Sequence, residues 1–172
     1  SKMRGYLDEL DALPEPLPVG SRVLAALGPK MRELAGARSA GVHPYLGTTA
    51  LTRTSREDLG PDALIAPEQA AVLSTDVDHA RSVARAHLAH YLVLPNYARS
   101  IIRVGFDEGD LADGGSDRLV DALVVHGDEE AIAARVAEHR DAGADHVCVQ
   151  VLTGDALSLP RDEWRRLAPV LT

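Results

Sequence analysis

Apolar residues recur along the chain at two different periods. Met3, Tyr6, Leu7, Leu10 and Leu13 fall every three or four positions, which predicts an opening helix that Pro14, Pro16 and Pro18 end in a stiff extended connector. The run Arg22 to Leu27 reads as a short buried strand, Gly28-Pro29-Lys30 turns the chain, and Pro29 sits where a first helical residue loses nothing by lacking an N–H. A helix to Ala37, a second strand at Gly41 to Leu46, a helix around Ala50 to Leu59 and a third strand within Ala63 to Leu73 follow, with Pro67 predicting a bulge or a late start in that strand. Asp76 reads as the N-cap of a long helix reaching about Leu94, with Val77, Ala80, Ala84, Leu88 and Tyr91 on one face.

Two shorter helical patterns, Ala98–Val104 and Asp117–Val125, flank the acidic turn Asp107 to Gly115, so residues 95–127 are expected to be a helical insertion. Asp128 caps a further helix with Ile132 and Val136 facing inward, Gly143 ends it, and His146 to Leu152 alternates as a fourth strand. A last amphipathic helix after Pro160 carries Trp164, Leu167 and Leu171. Four strands alternating with helices are the pattern of parallel α/β units. An eight-stranded (β/α) barrel typically takes about 250 residues, and with four of its strands the chain holds about half of one. The start in mid-helix, without an initiator Met, carries the expectation of an incomplete portion of such a barrel.

Composition narrows the function. With 18 Lys+Arg against 26 Asp+Glu the net charge is −8, which argues against nucleic acid or an anionic membrane as a general partner and leaves local anion sites. The single cysteine, Cys148, forms no internal disulfide, and no apolar run approaches the ~18 residues of a membrane span, so a cytoplasmic setting is the expectation. Aromatic residues make up 3% of the chain, so its core must be built from Leu, Val, Ile and Ala.

The turn Ala26-Leu27-Gly28-Pro29-Lys30-Met31 is the candidate ligand site: a strand ending in Gly admits close approach, the next helix presents unpaired N–H groups, and Lys30 adds a cation. An ordinary strand-to-helix turn with a surface lysine is the plain alternative. His43 and Tyr45 share one face near the end of the second strand, where α/β enzymes gather ligands, and are candidates for a substrate pocket. His87 and His90 stand one helical turn apart with no acidic or Cys ligand to complete a set, so a metal site is not expected. His139, His146 and Cys148 read as structural, and Glu68 as either an arginine's partner or a general base.

Several of these segments, taken in order, carry a resemblance. Arg22 to Met31 continuing to Gly41-Val42-His43-Pro44-Tyr45-Leu46, then Leu64 to Gln69, Ala86 to Leu92, Leu94-Pro95-Asn96-Tyr97 and Ala144 to Val151, together resemble the luciferase-like monooxygenase superfamily, in particular its coenzyme F-420-dependent oxidoreductases. The resemblance implies the later strands and helices of a TIM-type (β/α)8 barrel, with a flavin or deazaflavin ring over the strands' C-terminal ends. It implies that Ala26, Leu27, Gly28 and Pro29, and after them Lys30 and Met31, contact that cofactor, F-420 or alternatively FMN. The reaction implied is hydride transfer or oxygenation of a small organic substrate. The family's first strands, which carry its acid/base residues, have no counterpart in this sequence, so no catalytic acid or base is assigned. A non-catalytic half-barrel that dimerises or docks through its open sheet edges is the alternative.

Overall fold

The structure, a computed structural model, describes residues 2–155 and 158–171. Helix α1 (Lys2–Asp11) is followed by the proline connector, a single 3-10 turn at Val19–Ser21 and strand β1 (Val23–Leu24). Then come α2 (Pro29–Arg38), β2 (Gly41–Val42), α3 (Thr49–Leu59), β3 (Leu64–Ile65), β4 (Glu68–Val72) and α4 (Val77–Leu92). The remainder is α5 (Pro95–Arg103), a 3-10 segment at Gly109–Gly114, α6 (Asp117–Leu123), β5 (Val124–His126), α7 (Glu129–Asp141), β6 (Cys148–Val151) and α8 (Arg161–Leu171). Side-chain oxygens of Thr48, Asp76, Ser116 and Asp128 accept the amides that would otherwise be orphaned at the starts of α3, α4, α6 and α7.

All strand pairs are parallel, in the orders β1-β2-β3 and β5-β4-β6. Pro67 interrupts the third strand, as its missing N–H predicts, and leaves β3 and β4 as two segments of one path. Along that path the backbone alternates its bonding direction, and the two edges serve different neighbours. Leu64, Ala66 and Glu68 donate to the carbonyls of Ala40, Val42 and Pro44, whereas the carbonyls of Ile65, Pro67 and Ala71 accept from Asp145, Cys148 and Leu152. Once β2 has turned away after Pro44, the same edge that held it pairs Ala70 and Val72 with Val124 and His126 of β5. Gly41 is required where β2 meets β3, because a Cβ there would stand 1.9 Å from the Leu64 carbonyl oxygen. Among the described residues β1 and β6 each pair on one side only, so the parallel strands form an open arc.

Two expectations need correction. The helix expected through Val125 stops at Leu123, and Val124–His126 form a strand, because two adjacent β-branched residues meet the free edge of β4. The first two strands are also shorter than expected: only Val23–Leu24 and Gly41–Val42 are in the ladder, and the residues after each leave the sheet at its C-terminal end. On α4, Ala80, Ala84, Leu88 and Leu92 are buried and Val77 is exposed.

The largest core cluster joins α4 and α6 to β4 and β5 through Ala84, Leu88, Leu119, Val120, Leu123 and Val124. A polar link crosses the core beside it. His139 of α7, with no exposed surface, takes the Thr52 hydroxyl at Nδ1 (2.9 Å) and donates from Nε2 to Gln69 Oε1 (2.8 Å), while the Gln69 amide donates to the carbonyls of Ala70 and Leu123. Both ring nitrogens are thus satisfied with the ring neutral, and burial, with the charge of Arg135 after it, lowers the His139 pKa to about 4. The unfolded chain takes up this proton first as pH falls through about 6.5, so stability is lost between about pH 6.5 and 4, by up to about 3 kcal/mol. Urea unfolding at pH 7.5 and 4.5 is expected to show that His139→Gln loses less stability than the wild type over this interval; equal losses would show that His139 does not set the acid limit.

Candidate coenzyme cavity and the tyrosine cluster beside it

The residues that leave the sheet after β1 form the floor of a cavity of about 310 Å³. Ala25, Ala26, Leu27, Gly28 and Met31 line it from the β1–α2 turn, Tyr45 from the segment after β2, and Asn96, Tyr97, Arg99 and Arg103 from α5. The turn is held from behind: buried Arg32 donates from Nη1 to the Leu27 carbonyl (3.0 Å) and from Nε to Asp58 (2.7 Å), and Ser100 Oγ lies 3.5 Å from the same carbonyl. Gly28 is the residue before α2, and its carbonyl accepts from both Met31 and Arg32. Pro29 has no N–H, so the Lys30 amide is left at the helix tip without a partner among the described residues.

Gly28 has φ −106° and ψ 159°, extended backbone that any residue can adopt. What its missing side chain leaves is space. A Cβ would point toward Arg103, 3.7 Å from Nη1. Arg99 and Arg103 are exposed and take part in no ion pair among the described residues, although the chain as a whole is acidic. A cradle with a bare amide, room at Gly28 and two uncommitted guanidinium groups suits an anionic group.

Of the residues expected at the cofactor, Ala26, Leu27, Gly28 and Met31 line the cavity, and Pro29 and Lys30 stand exposed at the first turn of α2. The two expected pocket residues part company. Tyr45 lines the cavity, but the His43 ring donates from Nδ1 to the Ala66 carbonyl (2.7 Å). Asn96, Tyr97, Arg99 and Arg103 were missed as site residues; the signal was two arginines four positions apart on a helix that opens at Pro95.

Tyr45 is the centre of an aromatic cluster. Its hydroxyl donates to Gln150 Oε1 at 2.9 Å and lies 3.4 Å from both His87 Nε2 and the Tyr91 hydroxyl. The Tyr91 ring is 5.4 Å from that of Tyr45 and meets Tyr97 edge-on at 5.2 Å. Burial, then the Tyr91 hydroxyl and the charge of Glu68, raise the Tyr45 pKa far above its ordinary value, so it is a neutral phenol. Burial and then His90 lower that of His87.

Behind this cluster lies Glu68, only 4% exposed. Its Oε2 accepts the Leu46 amide at 3.0 Å, and its Oε1 has no partner. Neither arginine pairing nor solvent stabilises the charge, and burial pushes the pKa up to about 7, against the opposing pull of the Leu46 amide. Leu46 itself has φ +51°, an unusual conformation for a branched residue, directly after Tyr45. Among the described residues no cluster of His, Cys, Asp or Glu is able to hold a metal ion, and no helix is long and apolar enough to cross a membrane.

No family model matches the chain, and no curated protein matches it. Solved structures do. An F-420-dependent secondary alcohol dehydrogenase, solved with an F-420–acetone adduct, superposes with a TM-score of 0.61 at 13% identity, over 92% of this chain and 51% of that one. The coenzyme F-420 dependent tetrahydromethanopterin reductase of Methanopyrus kandleri gives 0.64 at 15% identity, over 87% and 50%. The EDTA monooxygenase of Chelativorans sp. BNC1 gives 0.60 at 19%, over 92% and 46%. The chain has the fold of luciferase-like enzymes. It spans about half the length of each of these structures, which accords with an arc of strands that is open at both ends. In this luciferase-like fold the Gly28 cavity lies at the C-terminal ends of β1 and β2, the end of the sheet at which parallel α/β barrels bind ligands.

Glu68 links the cavity to stability. In the unfolded chain it ionises near pH 4.5 and in the folded chain near 7, so stability falls as pH rises through that interval, by up to about 3 kcal/mol above it. Glu68→Gln removes this dependence while keeping an acceptor for Leu46. Thermal melts are expected to show the variant gaining on the wild type by more at pH 8 than at pH 4.5; a pH-independent difference would refute a buried neutral acid.

Proposed function

We propose that the chain is the coenzyme-holding portion of an oxidoreductase or monooxygenase of the luciferase-like family, with F-420 as its cofactor and FMN as the alternative. The observation that carries this reading is the Gly28 cradle: a cavity at the strand ends, space where a Cβ would stand, and an anion-seeking rim of Arg99, Arg103 and the Lys30 amide. Both cofactors carry a phosphate on a side chain attached to a flat ring, and the residues present fit that combination. Arg103, Arg99 and the Lys30 amide would take the phosphate, and Met31 and Tyr97 offer apolar surface. When bound, the cofactor supplies the redox chemistry, hydride transfer for a deazaflavin or oxygenation for a flavin. The chain's own residues bind and orient: Arg32 and Ser100 fix the turn, and Tyr45, a neutral hydrogen-bonding phenol, faces the cavity. The substrate is a small organic molecule. The open edges of β1 and β6, with Leu17, Val19 and Val23 exposed near the first, are where the remaining strands of the barrel, or a second copy, would join.

Titration of the chain with F-420 and with FMN, followed by cofactor fluorescence, is expected to give saturable binding by one of them. Gly28→Val places a branched side chain in the cradle and is expected to weaken binding at least about tenfold with little change in melting temperature, while Arg103→Ala costs about tenfold and flattens the salt dependence. Absence of saturable binding by both cofactors, or binding indifferent to Gly28→Val, would refute this assignment.

A further inference from the structure

A second cavity, also of about 310 Å³, lies between α4 and the C-terminal end of β6, lined among others by Val83, His87, His90, Gln150, Leu152 and Thr153. Tyr45 lines the first cavity, and its hydroxyl contacts Gln150 and His87, which line the second, so one phenol links the two linings. The hydrogen bonds fix the direction of each donor. Because the Tyr45 proton goes to Gln150 Oε1, its oxygen has only lone pairs to offer its two neighbours at 3.4 Å, so the Tyr91 hydroxyl donates there and His87 Nε2 faces it as a donor. His87 Nδ1 is then left as an acceptor and Gln150 Nε2 as a donor, and neither has a partner among the described residues. An acceptor and a donor side by side, both uncharged, in a half-apolar cavity match a neutral molecule with a hydroxyl, carbonyl or amide group.

We propose that this second cavity binds a neutral hydrogen-bonding reactant between His87 Nδ1 and Gln150 Nε2, and that Tyr45 couples it to the occupant of the Gly28 cavity. Only the identity of that other occupant rests on the cofactor reading. The groups that bear on His87 are His90 and Tyr91 on its own helix, Tyr45 with Glu68 behind it, and Asp155 after β6. His79, exposed on the same helix about two turns from His87 and outside both cavity linings, serves as the internal control.

The test is NMR of the histidine rings and side-chain amides in the full chain. Tyr45→Phe removes the acceptor from the His87 Nε2–H, so the His87 titration midpoint is expected to fall, on the order of half a pH unit, with that of His79 unchanged. A folded variant in which His87 titrates as in the wild type would overturn the coupling. Acetamide, a neutral donor and acceptor, is expected to shift the Gln150 amide and the His87 ring saturably, and at least about tenfold more weakly in Gln150→Leu. Non-saturable shifts, or shifts unaltered by Gln150→Leu, would overturn the site. Added F-420 is expected to move the His87 ring in the wild type and not in Tyr45→Phe; equal movement in both overturns the coupling. If F-420 leaves the Lys30 and Met31 amides unmoved, the cofactor reading fails, while the titration and acetamide results still decide this proposal.

Discussion

Glu68 is buried with no ion pair among the described residues, and the Leu46 amide is the group that donates to its carboxyl. Together with the bond from the Glu68 amide to the Pro44 carbonyl, that contact joins the long central strand to the segment carrying Tyr45. Leu46 adopts a left-handed conformation that a branched residue avoids, at a cost of order 1–3 kcal/mol, and an orphaned amide at this buried position would add to it. By accepting that amide, the Glu68 carboxyl makes the turn tenable, and the turn swings the chain away from β4. Tyr45 can then leave the sheet and reach Gln150 on β6 and His87 on α4. The residue this contact positions lines the first cavity and bonds to two residues that line the second.

The departure of the β2 segment has a second effect. It frees the upper half of one edge of the central strand, and β5 occupies it, so that β4 is paired on both sides along its whole upper length. Pro67 stands between β3 and β4, where the missing donor divides the strand into its two segments. The C-terminal ends of β1 and β2 are thus left without ladder partners beyond Leu24 and Val42, and a cavity forms there instead of more sheet.

Much of this was legible in the sequence because the signals were local. N-caps at Asp76 and Asp128, Pro29 at the first turn of α2, the break at Pro67 and the stop at Gly143 each act through the backbone of their own segment. The turn at Gly28 was legible too: close approach at a strand ending in Gly needs only an absent Cβ, and its φ is ordinary. What escaped was set by tertiary contact. Three residues at Val124–His126 do not reveal a strand by periodicity, and only the vacant edge of β4 makes them one. Arg99 and Arg103 look like any solvated helix face until α5 is folded against the β1–α2 turn. His87 and Gln150, 63 positions apart, become neighbours only through Tyr45.

The two buried polar networks differ in a way that separates structure from function. Around His139 every nitrogen and the Gln69 amide have partners, and the network ties α3, α7 and the central strand together at no cost in unmet bonds. Around Glu68 the opposite holds: one carboxyl oxygen is unpaired, the residue it holds is strained, and its proton sits near neutrality. Half-satisfied networks weaken a fold, since low dielectric magnifies each missing bond. The fold tolerates this one beside its two cavities and keeps the satisfied one in its centre. A protonatable carboxyl, a strained turn and a cluster of tyrosines are gathered on one side of the main core, where Leu46 is buried and Tyr45, Tyr91 and Tyr97 pack against it, and such a group is able to hold protons close to a ligand.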